Sequence, residues 1–110
     1  MLFRSLQVAE VPWWSAYEIG QLRGVSVHPA QLMWLATEGS ARALHMSGEI
    51  GHLGAGAMAD ITVLDLGSTP AIKQRTDRTE HLCYALFPTI MMGDDRAVRD
   101  VWVAGKRALG

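Results

Sequence analysis

Residues 48–66, GEIGHLGAGAMADITVLDL, constrain this chain more than any other stretch. The front half carries Gly48, Gly51, Gly54 and Gly56. Glycine tolerates positive φ and close backbone approach, so this spacing predicts bends at the edge of a sheet. The back half, residues 61–66, is β-branched and aliphatic and predicts a strand. Asp60 stands where the bends hand over to that strand. A phosphate cradle would need a strand before the glycines and a helix after them. Neither flank is present, so the stretch reads as a turn feeding a strand.

Size and charge narrow what the turn and strand can belong to. At 110 residues the chain is one domain at most, and small for a self-sufficient core. Hydrophobic residues make up 49% and charged residues 19%, a balance that excludes a disordered chain. A formal charge of −1 gives no electrostatic attraction to nucleic acid or an anionic membrane, so neither is an expected partner. The single cysteine, Cys83, rules out an intrachain disulfide and predicts a reducing, cytoplasmic setting. The first ten residues lack the apolar core and cleavage site of a signal peptide. No apolar run approaches the ~20 residues that span a bilayer.

Helical spacing dominates the region before the glycines. Leu2, Phe3, Leu6 and Ala9 predict a helix over residues 1–10. Pro12 opens a second helical segment to about Leu22, with Trp13, Trp14, Tyr17 and Ile19 giving it an apolar side. Paired tryptophans can stack on bases or sugars, but no basic residues interleave with these, so buried packing is expected. Pro29 suits the first turn of a third helix. Thr37 is expected to divide that run into two short helices by capping the second. Small residues at 36, 39, 40 and 43 would let another element approach closely.

Beyond the strand, residues 67–70 read as a turn or loop, and 73–78, polar and charged, as solvated. Thr79 should cap a helix carrying Leu82, Ala85 and Leu86, which Pro88 kinks or ends. Residues 93–96 form a turn into a second strand, 97–104. A turn at Gly105 then leaves only the stub of a final strand.

Chemistry-bearing residues are scattered. His28, His45, His52 and His81 form neither His-x-His nor an i,i+4 pair that could grip zinc, so structural roles are expected. Asp94 and Asp95 are sequence neighbours and cannot flank a cleft as a catalytic carboxylate pair must. They read as turn formers, with Arg96 pairing locally. Cys83 reads as a buried, inert thiol. No serine sits in a Gly-x-Ser-x-Gly elbow.

Several words of the sequence resemble one known family. Residues 50–56 and 59–66 are similar to the run IGSLEPGKDADLVVLDL near the end of amidohydrolase-superfamily chains, with Ala55 and Ala57 replacing its Pro and Lys. LATEGSARAL resembles the segment that precedes that run. Within the superfamily, Gly93-Asp94-Asp95-Arg96 and Val103-Ala104-Gly105-Lys106, with Gln21-Leu22-Arg23-Gly24-Val25-Ser26, resemble the guanine deaminase family. The resemblance spans nearly all of this chain and about the last quarter of the family's.

The resemblance implies a zinc-dependent hydrolase that converts guanine to xanthine and ammonia. The family's metal ligands precede the matching region. No residue here is therefore assigned a catalytic, cofactor-binding or metal-binding role, and zinc is expected only in the full-length family. The implied fold class is α+β: N-terminal helices left from a TIM barrel, then a small β-sheet subdomain with one helix between its strands. Residues 1–46 are read as the helical remnant and 47–110 as the C-terminal strands of the small β-domain. A whole barrel takes ~250 residues, so none fits in this chain.

The expected partner is the missing N-terminal barrel portion, and self-association into a homo-oligomer is an expected alternative. A rival reading is a non-enzymatic interaction module, or a split-protein subunit that completes a partner's β-domain. A third is a fragment of another aminohydrolase of the superfamily.

Overall fold

The computed structural model describes residues 17–109. The expectations for residues 1–10, Pro12, Trp13 and Trp14 lie outside them. The described chain is helical over residues 17–22 (α1) and at α2 (Pro29–Trp34), then forms a π-helical turn at Leu35–Gly39 and α3 (Ser40–Ala43). The glycine-rich bends follow. Next come β1 (Ile61–Leu64), α4 (Pro70–Thr76), α5 (Leu82–Met92), a short 3-10 turn (Asp95–Ala97), β2 (Val98–Val103) and β3 (Lys106–Leu109). The class is α+β, as the sequence predicts.

Local chemistry explains the helix ends. His28 caps α2 reciprocally: its Nδ1 accepts the Ala30 N–H at 3.2 Å, and Gln31 Oε1 accepts the His28 N–H at 2.9 Å. Pro29 follows in the first turn, where its missing N–H costs nothing. α3 ends in a Schellman motif, in which the Met46 N–H donates to Ala41 O at 2.9 Å and the His45 N–H to Arg42 O at 3.0 Å. His45 takes the left-handed position there, at φ 57.

Thr37 does not cap a fresh helix. Its hydroxyl donates back to Met33 O at 2.8 Å, and the chain widens into the π turn instead of breaking. Ser40 Oγ donates to Leu35 O at 2.6 Å across the same turn. The expected junction near Thr37 is thus a widened turn between two short α segments.

Two helices, not one, stand between the first two strands. Thr69 Oγ1 accepts the Ile72 N–H at 3.3 Å and Pro70 opens α4, whose Lys73, Gln74 and Arg75 are exposed as their polarity predicts. Its anchor is Ile72, wholly buried, a burial worth about 1.5–3 kcal/mol. Thr79 closes α4 instead of opening α5, donating to Thr76 O at 2.7 Å. Pro88 lies inside α5, which runs on to Met92. Gly93 ends it, where a Cβ would run into the Thr89 carbonyl.

The sheet is antiparallel, in the order β1-β2-β3. Ile61 faces Trp102, Thr62 faces Val101 and Val63 faces Asp100; a bulge then brings Leu64 opposite Val98. β1 is shorter than expected because Asp65 Oδ1 accepts the Gly67 N–H at 2.8 Å and turns the chain away. β2 and β3 are joined by Ala104 at φ 49 and Gly105 at φ 77, the left-handed pair of a two-residue hairpin. Within this hairpin Arg107 reaches back over the Trp102 ring, 5.8 Å from its centroid, and its Nε donates to Asp100 Oδ1 at 2.7 Å.

Packing between elements is concentrated at two places, the first touching the sheet and the second joining helices. Ala41 and Ile50 are buried together, with Met46 and Ile61 packed against them. α5 packs on α2 and α4, and edge-on ring contacts join Tyr17 to Phe87 and His28 to Tyr84. The bend at Gly51 makes the first junction possible. A Cβ there would lie 2.8 Å from Ala41 Cβ and 3.0 Å from Thr37 O, so the bend sits flush on the helix at residues 37, 38 and 41, not at the small residues 36, 39, 40 and 43.

Gly48 and Gly51 share a φ of 92, but only Gly51 meets neighbouring atoms. Gly51→Ala should therefore lower stability by about 2–4 kcal/mol in chemical denaturation, strain plus overpacking. Gly48→Ala should cost only the strain, about 1 kcal/mol. Equal losses would show that the contact with the helix does not select glycine at 51.

Candidate functional site

The histidines are occupied by local structure. His28 caps α2, His45 holds the left-handed position after α3, and His52 Nδ1 accepts the Gly54 N–H at 3.0 Å. His81 stands at the N-cap of α5, its ring tilted against Tyr84. Among the described residues no three His, Cys, Asp or Glu side chains converge as a metal site would require.

Asp94 and Asp95 do not act as a pair. Asp94 caps the 3-10 turn, its Oδ1 accepting the Arg96 N–H at 3.0 Å, and Arg96 forks onto the same carboxylate with Nη2 2.6 Å from Oδ2. The guanidinium bond holds the Asp94 carboxyl below its ordinary range and raises Arg96 in turn. The local pairing expected for Arg96 is present. Cys83 corrects another expectation: it is exposed, not buried. It lies in the first turn of α5, where Leu82 and Tyr84 also face outward, at 70% and 50% exposure.

Two acidic residues do more than the sequence announces. Asp60 is buried, and its Oδ1 accepts the Ala104 N–H at 2.7 Å across 44 residues. The adjacent Ala59 carbonyl accepts the Gly105 N–H at 2.9 Å. Together they fasten the β2–β3 turn to the start of β1. Glu38, on the π turn, accepts from Arg42 Nε at 3.0 Å and from Ser47 Oγ at 2.8 Å, tying the helix to the first glycine bend. The Glu38–Arg42 spacing of four is a helix-pair signal in the sequence; the Ser47 contact has none.

Several large apolar side chains are exposed. Trp34 and Leu35 are 45% and 46% exposed, beside Arg42, whose guanidinium lies 5.6 Å from the Trp34 ring centroid. Leu22, Leu44 and Leu53 are more exposed still. The whole of β3 is exposed, and among the described residues it pairs only with β2. No described helix is long and apolar enough to cross a membrane.

The three-stranded sheet is fastened by a buried aspartate, and the helices leave Trp34, Leu35, Leu82 and Tyr84 exposed. The sequence profile of the amidohydrolase family matches residues 22–108, and the chain belongs to that family. Its relatives are deaminases. Guanine deaminase of Escherichia coli (strain K12) is 33% identical over 91 residues, which cover 83% of this chain and 21% of that protein.

The solved structure of E. coli guanine deaminase superposes with a TM-score of 0.85 at 30% identity, over 91% of this chain and 23% of the other. Guanine deaminase from Bradyrhizobium japonicum gives 0.67 at 32%, over 76% and 20%. An adenosine deaminase from Xanthomonas campestris with bound zinc gives 0.64 at 28%, over 86% and 20%. The chain thus spans about a fifth of the length of each relative.

Glu38 gives the helix–bend junction a pH signature. Its carboxyl is held below the ordinary value of 4.5, first by the Arg42 guanidinium and then by the Ser47 hydroxyl. A lowered folded-state pKa contributes stability above the unfolded value, and that contribution is lost as pH falls through the folded value. Glu38→Gln should therefore be less stable than the parent near neutral pH, and the gap should close on acidification below 4.5. Thermal melts across that range check this; a gap independent of pH would contradict it.

Proposed function

We propose that this chain is the C-terminal portion of a guanine-deaminase-like amidohydrolase. Residues 1–46 are taken as the last helices of the enzyme's barrel, and 47–110 as the strands and helices of the small β-domain beside it. The observation that carries this reading is the fit to guanine deaminase along most of the chain, with a TM-score of 0.85, at only 23% of that enzyme's length. The assembled enzyme would hydrolyse guanine to xanthine and ammonia. Guanine is favoured over an adenosine-like substrate because the relatives at 30–33% identity are guanine deaminases, whereas the adenosine deaminase is 28% identical.

A zinc ion in such an enzyme supplies activated water near neutral pH. The described donors do not fit a zinc site. Nδ1 of His28 and of His52 each accept a backbone N–H, and the Asp94 carboxylate is forked by Arg96. No step of the hydrolysis is therefore assigned to residues of this chain. Its part is to pack against the portion that holds the chemistry. The exposed Trp34, Leu35, Leu82 and Tyr84 are the surfaces such packing would cover. The outer edge of β3 is open to a further strand, although Lys106 and Arg107 temper it.

Two measurements test the reading. The isolated chain should release no ammonia from guanine and retain no stoichiometric zinc after dialysis. Co-expression with a family-matched N-terminal fragment carrying the metal ligands should restore ammonia release. Turnover or tightly held zinc in the chain by itself would overturn the proposal. The isolated chain should also self-associate and bind an apolar dye. A monomer without dye binding would favour an independent interaction module.

A further inference from the structure

We draw no further inference here: the strongest candidate, the exposed apolar patch of Trp34 and Leu35 at the π turn between α2 and α3, carries nothing because the structure does not show what covers it beyond the enzyme portion already proposed.

Discussion

The Asp60 side chain holds this structure's sheet to its own turn. Ala104 sits at φ 49, a conformation that costs a non-glycine residue about 1–2 kcal/mol. The hydrogen bond from its N–H to Asp60 Oδ1, with the neighbouring Gly105-to-Ala59 bond, offsets that strain at the one place where it arises. A net hydrogen bond is worth about 1 kcal/mol, and losing a buried partner about 1–3 kcal/mol. The contact joins residues 44 apart in sequence, and closing a loop of that length costs about 3 kcal/mol in chain entropy. The β1–β2 ladder closes the same loop alongside the clamp.

The helical half is held differently. α2, α3 and the first glycine bend meet through Gly51, Ala41 and the Glu38 contacts, and α5 receives α2 through edge-on rings. These junctions are local and thin. Leu32 and Met33 of α2 are buried, while the neighbouring Trp34 and Leu35, with Leu82 and Tyr84, face outward. Membership of the amidohydrolase family gives that asymmetry a physical sense. The chain spans about a fifth of its relatives' length, and under the proposed function these exposed side chains are where the remaining portion would pack.

The strands were legible because 61–64 is a run of β-branched and aliphatic residues and Val101 and Val103 alternate in 98–103, and the hairpin because Gly105 marks its turn. Helix α2 was legible from Pro29. α4 is not announced by its charged residues, Lys73 and Arg75, which mark solvent exposure alone, while Thr69-Pro70 and Ile72 carry the helix signal. Thr79 offers its hydroxyl equally to the helix before it or after it, and the structure uses the former. Cys83 was misjudged because burial of α5 depends on which neighbours this chain supplies. Asp60 was visible as an acid before a strand. Its partner, 44 residues away, is set by the register of β2 and β3, which no local pattern encodes.

Amide hydrogen exchange, on the isolated chain and on its complex with a family-matched barrel fragment, tests this account most directly. Ala104 and Gly105 amides should be protected in both samples, because Asp60 and Ala59 hold them within the chain. Protection of α2, the π turn and the start of α5 should rise only in the complex. Rapid exchange at Ala104 in the isolated chain, or unchanged protection of the helices on complex formation, would contradict it.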